Sequence, residues 1–274
     1  MPSSQDLTVA SPKVQDLRGL WRRSLIVWPD GVRDITTEVR WLQGIKAYID
    51  LRQPASLPHY PDKRRLLDLS LDDCTVLARQ EGFAGSFTFD GAYFEWARAI
   101  DFQPKPLNPD SGSLRWDGEI LIERGRAVEY LEHWHRDEST GGAPAGAISL
   151  RAMDSGIDGL LLRVGTVFMF ARDRSITPTA HKTLPECIAQ ASSLQEARAL
   201  IDCEISFGMV RPEGFVITAS SLPYRVGDIL DPRHSGQQLQ TMDRAPAGNI
   251  ATRHWEISEV EGDLDTGARK SIAR

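Results

Sequence analysis

The chain is poor in cysteine, and its three thiols, Cys74, Cys187 and Cys203, are widely spaced with no C-x-x-C pair. That count argues against a disulfide framework and a zinc site, and fits buried free thiols in a reducing cytoplasm. No apolar run approaches the ~20 residues of a membrane helix. The first residues, "MPSSQDLTVASPKVQDLRG", lack the basic and apolar pattern of a signal peptide. No basic stripe is present either: 32 Lys and Arg are scattered among 38 Asp and Glu for a net charge of -6, which argues against nucleic acid as a partner. Serine sits in no G-x-S-x-G context, and no glycine-rich phosphate loop or dinucleotide fingerprint follows a strand. No cofactor and no metal is expected, and membranes are not expected partners.

What is present is a chain of 274 residues, 41% hydrophobic and 26% charged, with seven tryptophans. Its first half reads as short strands: Leu20 to Trp28, Asp34 to Gln43, Ala47 to Arg52, Phe83 to Phe89, Ala92 to Asp101, Glu119 to Arg124 and Ala127 to His135. Pro29-Asp30-Gly31, Asp90-Gly91, Asp117-Gly118 and Arg124-Gly125 supply turn residues between them. One helix interrupts the strands, capped by Ser70 and stopped at Gly82. So many short, closely spaced strands predict an antiparallel barrel or sandwich.

The second half repeats the plan. Ser192 to Ser220 reads again as a capped helix, strand, turn and strand. A shift of 123 places Ser70, Leu77 and Gly85 on Ser193, Leu200 and Gly208, and a shift of 121 places Gly44 on Gly165 and Trp134 on Trp255. Two nearly equal shifts measured far apart point to duplication. The expected organisation is a disordered segment 1–15, a first barrel 16–137, a linker 138–146, a second barrel 147–261 and a mobile tail 262–274. The fold class is therefore all-β, two antiparallel barrels each with a short helix.

"GLWRR" at the first strand resembles the G-x-W signature of the lipocalin and fatty-acid-binding (calycin) superfamily, carried here by Gly19 and Trp21. The strings "WLQGIKAYIDLRQP", "FAGSF", "AIDFQP" and "VEYLEHW" look like those of poorly characterised two-barrel, lipocalin-like proteins of bacteria and fungi. The resemblance implies the fold and brings no activity. The absence of a T-D-Y loop motif and of an export signal departs from secreted lipocalins.

At the 121 shift, Trp41, Gln43 and Asp50 fall on Leu162, Val164 and Ala171, while Tyr130 and Glu132 fall on Ala251 and Arg253. The first barrel is expected to hold the site and the second, with a more apolar interior, to be structural. Strand alternation points Trp41 and Gln43 inward. It leaves open whether Tyr48, Asp50 and Arg52 or Ala47, Ile49 and Leu51 face the interior, and is less decisive for Tyr130, Glu132 and Trp134. The preferred assignment makes Trp21, Arg23, Trp41, Gln43 and Trp134 ligand-binding and Asp50, Arg52, Tyr130 and Glu132 candidate catalytic groups.

These residues suit a small aromatic or terpenoid-like molecule with one oxygen function. A carboxylate with its pKa raised by burial would alternatively serve a cofactor-independent lyase, isomerase or dehydratase. A structural alternative pairs Asp50 or Glu132 with Arg52, Arg23 or Arg98 as strand ties. A further alternative is an interaction module with filled barrels. His133 and His135 share a face but lack a third ligand, and "PHYPDKRR" (Pro58 to Arg65) reads as a solvated loop or a lid over a barrel mouth.

Overall fold

The computed structural model describes residues 11–60 and 62–264. Strands β1 (Gly19–Val27), β2 (Arg33–Asp34), β3 (Glu38–Gln43) and β4 (Ala47–Gln53) lead to helix α1 (Leu71–Leu77). Then follow β5 (Glu81–Phe89), β6 (Phe94–Asp101), β7 (Ser111–Asp117), β8 (Ile120–Gly125) and β9 (Leu131–Arg136). All neighbours pair antiparallel, and β9 returns to β1 with Trp21 opposite Arg136 and Arg23 opposite Trp134. Apart from the short β2, this makes a closed eight-stranded barrel with no free edge along that ladder.

Turn chemistry sets the hairpins. Gly31, Gly91 and Gly118 all have positive φ, and Asp90 Oδ1 accepts from the backbone of Ala92 and Tyr93 at 2.8 and 2.7 Å. Ser70 caps α1 in a reciprocal box with Asp73. Gly82 does not stop the helix as expected; α1 ends at Leu77 and Gly82 is already inside β5. Strand β7, "SGSLRWD", escapes sequence reading because its start is small and polar.

The second unit contains β10 (Ala145–Ala152), β11 (Asp158–Val164), β12 (Val167–Arg172), α2 (Leu184–Ala189), α3 (Leu194–Ile201), β13 (Glu204–Arg211), β14 (Gly214–Ser220), β15 (Arg233–Ser235), β16 (Gln238–Arg244) and β17 (Ile250–Gly262). Its eight-stranded sheet runs from β14 to β15, with no closing ladder among the described residues. Segment 227–230 spans the opening instead: Ile229 bridges Val216, Leu230 N–H donates to Phe215 O and Leu230 O accepts from Met242 N–H. The architecture is thus all-β, a closed barrel followed by a curled half-barrel of related plan.

The two units share a core. The outward side chains Ala47, Ile49 and Leu51 of β4 pack with Leu160, Leu162, Val164, Met169 and Ala171 of β11 and β12 and with all three helices. This decides the open face of β4: Tyr48, Asp50 and Arg52 point into the barrel, because the apolar set has a second apolar surface to cover. Between the units, β10 already starts at Ala145, and Thr140 is buried with Oγ1 accepting from Leu20 N–H at 2.9 Å. The expected linker is therefore shorter and tethered. Of the expected disordered segment, residues 1–10 lie outside the described residues, while Val14–Leu17 form a 3-10 turn that buries Leu17. Of the expected tail, 265–274 lie outside them, and Leu264 is buried.

The duplication extends to a bulge in each unit. Gly85 follows a register shift in β5, and Gly208 follows the equivalent shift in β13. A Cβ at Gly85 would stand 2.0 Å from Ala97 O, and one at Gly208 2.4 Å from the Phe168 ring. Gly85→Ala and Gly208→Ala are each expected to cost about 1–3 kcal/mol through overpacking, read as a lower urea midpoint with an unchanged slope.

Candidate functional site

One end of the first barrel is filled with rings. Trp21 stacks on Trp41 at 5.7 Å between centroids, and Trp41 meets Trp134 and Trp96 edge-on at 5.4 and 5.6 Å. Their N–H groups are used internally: Trp21 donates to Leu17 O at 2.7 Å, Trp41 to Gln43 Oε1 at 3.2 Å and Trp134 to Glu123 Oε2 at 3.0 Å. This end is a packed core.

The other end is charged and open. Arg23 donates to Glu132 Oε1 at 2.6 Å and to Asp34 Oδ2 at 3.3 Å. Arg52 donates to Asp50 Oδ1 at 3.1 Å, with its Nη1 3.7 Å from Glu132 Oε1. Arg98 lies over the Phe83 ring at 3.6 Å and donates to Asp101 and Asp110 at 3.0 and 2.5 Å. Tyr130 donates to Glu123 Oε1 at 2.6 Å.

Above this network lies a cavity of about 610 Å³. Arg23, Arg52, Arg98, Tyr130 and Glu132 line its polar part; Trp28, Pro54, Pro106, Leu107 and Val128 contribute to its rim. Segment 106–111 flanks the mouth. Segment 58–65, read as a solvated loop or a lid, does not line it: Arg65 donates to Ala247 O at 3.0 Å and Tyr60 packs on the core between the units, while residue 61 lies outside the described residues.

The structure therefore divides the sequence-derived set. Arg23, Arg52, Tyr130 and Glu132 come together on the cavity wall, and Asp50 stands behind Arg52. Trp21, Trp41, Trp134 and Gln43 do point inward, but they belong to the packed end and not to the lining. Of the strand ties weighed as an alternative, Glu132 does pair with Arg23 and Arg52, whereas Asp50 pairs with Arg52 on its own strand and Arg98 pairs with Asp101 and Asp110 instead. Sequence reasoning did not single out Glu123. Its signal was the alternation in "ILIERG", which sets Leu121 and Glu123 on one face.

Burial pushes the carboxyl pKa values up here. Glu123 is driven well above the usual range by desolvation, with Glu132 and Asp110 adding repulsion. Glu132 and Asp50 are also raised by burial, against the pull of Arg52. Asp101 is pushed up to about 6, with Arg98 opposing. A carboxyl whose folded pKa lies above its unfolded value loses stability as pH rises through that interval. The stability difference between wild type and Asp101→Asn is thus expected to move by about 3 kcal/mol against wild type between pH 3.5 and 7, at 1.36 kcal/mol per pKa unit. Urea titrations of both proteins across that range check it.

The second unit repeats the core motif with one change. Trp255 Nε1 donates to Thr241 Oγ1 at 2.8 Å where Trp134 uses Glu123. Its interior is not simply apolar as expected. Leu162, Val164 and Ala171 face the core between the units, whereas Phe168, Phe170 and Arg172 share the inner face. Glu204 is buried there with Arg225 at 3.0 Å. The 121 shift holds for Trp134 in β9 and Trp255 in β17, but β3 and β4 match β11 and β12 at a shift of 120: Gln43 lies opposite Tyr48 as Arg163 lies opposite Phe168.

His135 Nε2 lies 2.8 Å from Ser24 Oγ at the exposed outer face, and among the described residues no cluster of three His, Cys, Asp or Glu could hold a metal. All three cysteines are buried and free. No helix among the described residues is long and apolar enough to cross a membrane.

No family model matches the chain, and no curated protein matches it. Among solved structures, an uncharacterized protein from Saccharomyces cerevisiae is similar, at 14% identity over 88% of this chain and 98% of that one, with a TM-score of 0.47. The closed barrel and half-barrel fit a calycin-like fold, and the functional reading rests on the site's own geometry.

Proposed function

We propose that the first barrel binds a small, largely apolar molecule in its open end, body against the rim and polar head toward Glu132. The observation that carries this reading is the cavity of about 610 Å³ joining apolar side chains at its lip to a polar wall, a combination typical of small-molecule sites. The filled-barrel interaction module would lack such a cavity.

The indole to watch is Trp28, which lines the mouth, and not the deeply packed Trp41. Titration with a panel of aromatic and terpenoid compounds is expected to change tryptophan emission saturably. In Trp28→Phe the signal should fall by more than half while affinity, read by calorimetry, changes less than about fivefold. A panel that produces neither signal nor heat overturns the reading.

Cofactor-independent acid–base catalysis on such a molecule is a second reading, favoured by one observation. Glu132 is a carboxyl on the cavity wall whose pKa burial has raised, with Arg52 and Tyr130 also on that wall. Product formed by wild type and not by Glu132→Gln would establish it as a lyase, isomerase or dehydratase.

A further inference from the structure

The hydrogen-bonding capacity left over at the polar wall is unequal in sign. Among the described residues, Glu132 is 1% exposed, lines the cavity and has its Oε2 without a hydrogen-bond partner. The guanidiniums beside it are already committed. Arg23 is shared between Glu132 and Asp34, Arg52 between Asp50 and Glu132, and Arg98 between Asp101 and Asp110. Arg98 Nε also lacks an acceptor, but that group is laid over the Phe83 ring. An incoming carboxylate would have to break existing pairs, whereas an incoming donor finds an acceptor ready.

The charge balance points the same way. Asp34, Asp50, Asp101, Asp110, Glu123 and Glu132 surround Arg23, Arg52 and Arg98, so carboxyls outnumber guanidiniums two to one. Two more charges at the lip, Arg79 and Glu81, offset one another. A buried site with such an excess stabilises either protons on its carboxyls or a cation brought by a ligand.

We infer that the head group received at Glu132 is an organic cation with an N–H donor, a protonated amine on an apolar body. This deepens the binding proposed for the same cavity and rests on it. The ammonium donates to Glu132 Oε2 in a charge-assisted hydrogen bond, with Tyr130 beside it on the wall and Arg23 and Arg52 holding the other carboxylate oxygen.

Burial favours the neutral form of Glu132, with Arg52 and Arg23 opposing and Asp50 reinforcing it. Glu123 on β8, opposite Glu132 in the ladder, adds to that repulsion. A cation that needs the ionised form therefore displaces a proton. Amine affinity rises with pH above the ordinary carboxyl range while that of a neutral isostere stays level.

The test uses 2-naphthylmethylamine, 2-naphthalenemethanol and 2-naphthoic acid as probes, measured by calorimetry against the whole protein and Glu132→Gln. The amine is expected to bind wild type at least about tenfold tighter than either other probe at pH 7.5. That preference should shrink below threefold in Glu132→Gln, whose retained affinity for the alcohol shows the cavity intact. In wild type, amine affinity should climb severalfold from pH 4.5 to 7.5, a result that decides the matter if the variant does not fold. Equal binding of all three probes, or tighter binding of the acid, overturns the cationic head group and leaves the binding cavity standing. Binding of none overturns both.

Discussion

Trp41→Ala is expected to destabilise the protein by about 3–5 kcal/mol, the range for truncating a large buried aromatic. Trp41 is 1% exposed and touches Trp21, Phe87, Trp96 and Trp134. Removing it takes the centre from the ring cluster, and neighbours fixed on a closed barrel have little freedom to collapse into the space. The loss should appear as a lower urea midpoint. It follows that loss of ligand binding in this variant would report loss of the barrel's packed end, whereas Trp28 at the mouth reports on the cavity itself.

Arg225→Met is expected to cost a similar 3–5 kcal/mol, because it strands a carboxylate. Arg225 and Glu204 are almost fully buried and 3.0 Å apart, and Arg225 also donates to Asp228 at 2.9 Å. With the guanidinium gone, Glu204 keeps the Ser206 hydroxyl at 2.7 Å, while Arg172 stands 3.9 Å from its other oxygen. The double variant Arg225→Met with Glu204→Gln should recover at least half of the loss, since the cost comes from the unpaired charge. Additive losses in the double-mutant cycle would show instead that packing dominates.

The charged groups inside the two units differ in their surroundings. In the first barrel the charged end opens on a cavity whose lining includes the carboxyls of Asp34, Glu81, Asp110 and Glu132. In the second, Arg172, Glu204, Arg225 and Asp243 are matched to one another inside the fold. Replacement of Glu123 by a threonine in the equivalent place, Thr241, removes a carboxyl from the second unit's tryptophan pair. Duplicated architecture is thus compatible with one unit carrying the site and the other bracing it across the shared core.

Local chemistry made much of this legible in the sequence. Asp-Gly turns, the Ser70 and Ser193 caps and the short β-branched and aromatic runs act within a few residues, so they announce strands, hairpins and helices without reference to the rest of the chain. They also gave the duplication and gathered Arg23, Asp50, Arg52, Tyr130 and Glu132 into one candidate set, together with Gln43, Trp21, Trp41 and Trp134. Only the tertiary structure decided which way β4 faces, because Ala47, Ile49 and Leu51 are apolar for a second unit more than 100 residues away. It alone decided that the indoles close one end of the barrel while the charges open at the other, since that depends on which loops leave a cavity. A strand's side chains alternate every residue, so the one-residue difference between the 121 alignment and the 120 shift that the registers of these strands give reverses inside and outside. That reversal hid the charged interior of the second unit from the repeat alignment, and no local pattern could have corrected it.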